Sequence, residues 1–233
     1  MPNWQKRAVY STGSSRSRTP TRPRLPSWPP TRRALLVSAM ADAPVLRPTR
    51  AEVNLGALRR NVTLLAQRAA PAELWVVVKA DAYGHGAAQC AAVVVQAGAR
   101  GLCVALAQEG VALREAGITV PILVLSEQSP AAAELLVAHD LTCVVYNEHY
   151  VAALADAARR AARQVKVHLK IDTGMHRAGV DSSGAVSLAR TIVSSSDLLL
   201  DGVMTHLATA DDPRHEATKR QLATFNEVLG ELR

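Results

Sequence analysis

Aromatic side chains are scarce in this chain: one Phe, three Trp and four Tyr among 233 residues. A core of stacked rings is excluded, so the interior must be packed with Ala, Val and Leu. Long apolar runs are missing too. Glu, Gln, Arg or Gly interrupts every stretch well before the roughly 18 residues that a membrane-spanning helix needs. Cysteine pairs are also lacking. Cys90, Cys103 and Cys143 lie in the apolar contexts QCAAVVV, GLCVAL and LTCVVY, with no CxxC and no histidine at metal-ligand spacing. An odd set of thiols in such surroundings reads as buried core cysteines in a reducing, cytoplasmic compartment, and argues against a disulfide framework or a zinc site.

What is present is ordinary for a globular protein with one sizeable core: 48% hydrophobic and 20% charged residues. The net charge of +7 points towards nucleic acid until it is located. Residues 1–50 hold ten Lys or Arg against the single acid Asp42, whereas the rest holds seventeen against nineteen acids. The body is nearly neutral and lacks a basic stripe with aromatics for stacking, so no nucleic-acid partner is expected for it.

Residues 1–45 are rich in Ser, Pro and Arg and have no hydrophobic periodicity, which predicts a disordered basic extension ahead of a domain over 46–233. Three origins compete for it: translation starting upstream of a true first residue at Met40, an organellar transit peptide, or an export signal around Arg32, Arg33 and ALLVSAMA. The first is favoured, because the apolar segment is short for a signal core and unpaired cysteines suit export poorly.

From residue 50, short apolar runs alternate with Ala-rich segments of helical period. Strands are expected at 74–79, 101–106, 121–126, 141–146, 165–171 and 199–205, with helices of 10 to 20 residues between them; in the helix at 148–164, Val151, Leu154 and Ala158 form the apolar face. Such alternation implies parallel strands buried on both faces, in an open doubly wound sheet or a (β/α)8 barrel. No GxGxxG follows any strand, and polar residues gather past the ends of several strands: Lys79, then Asp172 to Arg177, then Thr205 and His206. That is the barrel pattern. Six strands are visible where a barrel has eight, so an unclosed sheet is expected.

Lys79 ends an apolar strand and opens KADAYGHG, placing its amine where a low-dielectric wall meets a pocket, conditions that free a lysine for Schiff-base chemistry. Tyr83 follows four residues later, ahead of Gly84, His85 and Gly86 at an expected helix start, where a phenol and backbone amides suit a phosphate. The segment VVKADAYGHGA resembles the cofactor-attachment motif of the alanine racemase family. Three further segments agree: VKVHLKIDTGMHRAGV at 165–180, GVMTHLATAD at 202–211, and AEVNLGALRRNVTLL at 51–65, which is similar to the family's opening strand and helix. The resemblance covers residues 48 to 233 and implies the N-terminal barrel portion of a pyridoxal 5'-phosphate-dependent racemase that interconverts L- and D-alanine for peptidoglycan.

Residue by residue, it implies that Lys79 carries the cofactor and acts as the base on the D-alanine side. Val77 lines the cofactor pocket, Tyr83 bonds the phosphate, Arg177 sits near the substrate carboxylate, Lys170 takes the position of a lysine that is carbamylated in many members, and His206 packs near the cofactor ring. It also implies a homodimer whose partner's C-terminal β domain supplies the second base. The matching segments do not include that domain, so a truncated racemase, weak or inactive alone, is the first expectation. The alternatives are a non-catalytic single-barrel protein that holds pyridoxal phosphate for homeostasis, and a basic-tailed interaction protein.

Overall fold

The computed structural model describes residues 51–212 and 214–233; the readings made of the extension and of Met40 lie outside the described residues. Seven strands are found: β1 (Trp75–Val77), β2 (Gly101–Val104), β3 (Ile122–Val124), β4 (Thr142–Val145), β5 (Val165–Asp172), β6 (Val180–Asp181) and β7 (Leu198–Met204). The helices are α1 (Leu55–Ala69), α2 (Ala87–Gln96), α3 (Ala107–Glu115), α4 (Ala133–Ala138), α5 (Glu148–Arg160), α6 (Ser182–Ser194) and α7 (Ala217–Glu231). The six expected strands are all present, most of them shorter than anticipated. The two-residue β6 was not foreseen. Residues 51–54, expected to belong to an opening strand, form none; the Asn54 side chain accepts from the amide of Ala57 at 2.8 Å and caps α1 instead.

Every pairing is parallel, and the main sheet runs β1-β2-β3-β4-β5-β7 in chain order, with β6 pairing only the far end of β5. A doubly wound sheet reverses direction at a switch point; this one never does, so it is barrel-type. Among the described residues, β1 pairs only β2 and β7 pairs only β5, leaving the barrel unclosed.

Alternation along the strands separates two apolar zones. Residues that face the helices, including Leu102, Val104, Ile122, Val124, Leu169 and Ile171, join the helix faces in one continuous core. Val151, Leu154 and Ala158 of α5 are buried in it as expected. Each fully buried Leu or Ile there contributes about 1.5–3 kcal/mol. On the concave side, Cys103, Leu123 and Val144 form a smaller cluster with Trp75, Leu125, Tyr146 and Met204. All three cysteines are buried, and burial pushes the thiols of Cys103 and Cys143 up to about 11 and about 12.

Two glycines make room on the concave side. A Cβ at Gly101 would meet the Trp75 ring at 2.5 Å, and one at Gly202 would meet the His168 ring at 2.9 Å. The two rings lie 6.1 Å apart between centroids on that side of the sheet. Pairing of β5 with β7 slips by one residue between Val167 and His168: Val167 aligns with Leu200 but His168 with Gly202, so Asp201 is an extra residue in β7.

Candidate active site

Lys79 lies two residues beyond the end of β1, and the chain after it turns in an unusual way. Ala80, Asp81, Ala82 and Tyr83 all have φ between 51° and 56°, a turn of left-handed helix built without glycine. Each such residue costs roughly 1–2 kcal/mol, about 4–8 kcal/mol in total, so surrounding bonds must impose the conformation. They do. The amide of Ala80 donates to Glu109 Oε1 at 2.6 Å, and Glu109 Oε2 accepts from Ala105 and Leu106 at 2.8 and 3.0 Å, which ties the turn to the loop between β2 and α3. Asp81 Oδ1 accepts from the amide of Ala87 at 2.8 Å, and the amide of Ala82 donates to the Val78 carbonyl at 2.9 Å. The expected helix start therefore falls at Ala87, after this turn. Lys79 emerges half-buried at the rim; Val77 is 37% exposed and Tyr83 61% exposed.

The end of β5 carries the second group. Lys170 is buried at 6% exposure. Beyond it, Asp172 Oδ1 accepts from the amides of Gly174, Met175 and His176 at 2.9, 3.0 and 3.1 Å, curling the loop that presents Arg177. Burial opposes the Asp172 charge, but the amides of Gly174 and His176, the His176 ring and the amide of Met175 outweigh it and hold the carboxyl below its ordinary range. The third group is Thr205 and His206, just past β7.

Lys79, Lys170, Arg177 and His206 come together although they arise from three strands. Burial, and then the positive charges of Arg177, Lys170 and Lys79, push the His206 imidazole below its ordinary pKa. Lys170 is likewise lowered, by burial first and Arg177 next, with Asp172 acting in the opposite sense. This crowd of positive groups fits an anionic occupant such as a phosphorylated cofactor together with a carboxylate substrate. Tyr83 and Val77 border the same strand end, but the described residues do not tie either to Arg177 or His206.

Two residues in the site's framework escaped sequence reasoning. Glu109 carries only a weak signal: it follows a strand end by five residues in the first turn of a helix, where its carboxylate accepts from the amide of Leu106, but a leucine at the N-cap leaves no Ser/Thr-x-x-Glu box to read. Gln221, on α7, carries no sequence signal; it is 2% exposed and reaches the loops after β5 and β7.

A family profile described as alanine racemase, N-terminal domain, matches residues 53–233. The alanine racemase of Symbiobacterium thermophilum is 41% identical over 191 residues, which make up 82% of this chain and 51% of that protein. The crystal structure of alanine racemase from E. faecalis superposes with a TM-score of 0.76 at 36% identity, covering 80% of this chain and 51% of that one. A histidine racemase from Leuconostoc mesenteroides subsp. sake matches with a TM-score of 0.70 at 26% identity, covering 74% of this chain and 46% of that one. The chain thus spans about half the length of the curated relatives it matches.

Proposed function

Since the chain belongs to the alanine racemase N-terminal domain family, we propose that it is the cofactor-bearing barrel portion of a pyridoxal 5'-phosphate-dependent racemase that interconverts L- and D-alanine, supplying D-alanine for peptidoglycan in the cytoplasm. The observation that carries this reading is the convergence of Lys79, Lys170, Arg177 and His206 at one rim of the sheet, where burial first and then the three positive groups depress the His206 imidazole. Lys79 and Tyr83 would hold the cofactor, with Val77 as a wall and His206 beside the ring.

When bound, pyridoxal phosphate supplies an aldehyde for covalent attachment and a conjugated ring that spreads negative charge from an amino acid's Cα. The rest falls to the protein. The Lys79 amine moves the Cα proton on one face. Arg177 offers a forked guanidinium that holds a carboxylate by two bonds. Lys170 is buried and repelled by the Arg177 charge as an ammonium; carbamylated, as the resemblance implies, it would hold that guanidinium in place, and the left-handed turn fixes where the Lys79 side chain leaves the backbone. A homodimer supplying the base for the opposite face completes the proposal. Alanine is proposed over larger amino acids because the matched alanine racemases are the nearer in sequence, at 41% and 36% identity against 26% for the histidine racemase.

The test is a titration of the 233-residue chain with pyridoxal phosphate, followed by visible absorbance and by mass spectrometry after borohydride reduction. One cofactor per chain, attached at Lys79 and lost in Lys79→Ala, is expected. Attachment spread over surface lysines, unchanged in Lys79→Ala, would overturn the assignment.

A further inference from the structure

Among the described residues, the two loops that carry Arg177 and His206 are joined through side chains: a pair of threonine hydroxyls and a buried amide. Gln221 Nε2 donates to the His206 carbonyl at 2.9 Å and to Thr173 Oγ1 at 3.2 Å, while Gln221 Oε1 accepts from the amide of Ala208 at 2.8 Å. Thr173 Oγ1 lies 2.7 Å from Thr205 Oγ1, and Thr205 Oγ1 donates to the Ile171 carbonyl at 2.9 Å. A hydroxyl has one proton to give. Thr205 spends its proton on Ile171, so Thr173 must donate to Thr205, and Thr173 must in turn accept from Gln221. The chain of protons has one direction, with one Gln221 N–H at its head while the other serves the His206 carbonyl. Gly174 is packed against the same side chain: a Cβ there would stand 3.4 Å from Gln221 Cγ.

We propose that Gln221 is a positioning residue that locks the loop bearing Arg177 to the loop bearing His206, and that it acts through its two donors rather than through its bulk. The side chain leaves α7 fully enclosed, with every polar atom used, so its orientation is fixed by the partners around it. An isosteric carboxylate keeps the acceptor for Ala208 but turns an oxygen towards the His206 carbonyl and the Thr173 hydroxyl, which then have no donor. The consequence for the site rests on the functional reading above: with the lock broken, the carboxylate-binding guanidinium and the imidazole lose their mutual alignment, and uptake of cofactor weakens.

The test compares the 233-residue chain with its Gln221→Glu and Gln221→Met variants by amide hydrogen exchange at neutral pH and by titration with pyridoxal phosphate. Exchange about tenfold faster or more is expected in peptides spanning 173–178 and 205–209, with β2 and β3 unchanged, because both donated bonds are lost and a single buried neutral bond is worth about a factor of ten in local opening. Cofactor uptake is expected to weaken by a similar factor. Exchange in Gln221→Glu equal to wild type in both loops would overturn the proposal. So would acceleration spread evenly over the whole sheet, which marks a general packing role. If neither Gln221 variant folds, Thr173→Val removes the hydroxyl to which Gln221 donates and is expected to speed exchange in the 173–178 segment; no acceleration there overturns the proposal. Loops that loosen as expected in a chain that never takes up the cofactor would uphold the lock and refute the functional reading.

Discussion

Replacing Ala80 by glycine should stabilise the protein, against the usual sense of that substitution. Ala80 has φ 51° and ψ 47° inside the left-handed turn, where a Cβ costs roughly 1–2 kcal/mol. Glycine removes that cost but adds freedom to the unfolded chain worth about 0.4–1 kcal/mol in the opposite direction. Ala80 is exposed, so no packing is lost, and its amide keeps the bond to Glu109. The net gain is about 0.5–1 kcal/mol, a rise in melting temperature of about 1–4 °C for a domain of this size. The matched control is Ala92→Gly, also exposed but in the right-handed helix α2, where the same atoms are removed and a loss of about 0.5–1 kcal/mol is expected. Thermal unfolding followed by far-ultraviolet circular dichroism, with urea midpoints as a second measure, reads both. Opposite signs are required by this reasoning; an Ala80→Gly protein that melts at or below wild type would refute the claim that the turn carries conformational strain.

At Gly179 the opposite result is expected. Its φ is +142°, and a Cβ would lie 2.5 Å from the Asp172 nitrogen and 2.9 Å from the Ile171 carbonyl carbon, backbone atoms that have nowhere to go. Gly179→Ala should cost about 2 kcal/mol or more and lower the urea midpoint accordingly; a neutral result would mean the loop before β6 relaxes freely. Stability should also fall on mild acidification. Burial pushes the His168 imidazole below its ordinary pKa, Asp201 pulling the other way and Lys166 reinforcing burial. The unfolded state therefore takes up a proton that the folded state resists, so the contribution is whole above about pH 6.5 and is lost as pH falls through that value towards the folded pKa. His168→Gln should flatten the dependence of the urea midpoint between neutral and mildly acidic pH, and an unchanged slope would show that His168 titrates alike in both states.

Strand order and the parallel α/β plan were legible because the burial pattern is written in the runs themselves: GLCV, ILV and TCVV are buried throughout in the structure. The cluster of Lys79, Lys170, Arg177 and His206 was legible because a parallel sheet gathers strand ends on one rim, whatever their separation in sequence. The handedness of the turn after Lys79 was not. Nothing in KADAY marks a left-handed path, since alanine is a strong former of right-handed helix; the conformation is imposed from Glu109, twenty-nine residues away. Gln221 was hidden for a related reason: a single polar residue in an amphipathic helix looks like its solvated face until the loops it serves are folded over it. The opening strand anticipated before α1 failed on local chemistry, where Asn54 favours a cap over an extended neighbour.

The one extra residue in β7 reaches further than its size suggests. Below it, Leu198 and Leu200 point to the helices; above it, Val203 does so and Met204 turns to the cleft, so odd and even positions exchange sides halfway along a single strand. Straightening the strand with all of its residues kept would send Met204 under the helices and carry His206 round to the back of the sheet, whereas deleting Asp201 would leave Val203 against Leu169 and Met204 against Lys170 as they are now. Which face the end of β7 presents is thus set by the bulge that absorbs its extra residue, more than by which side chains fill the stretch.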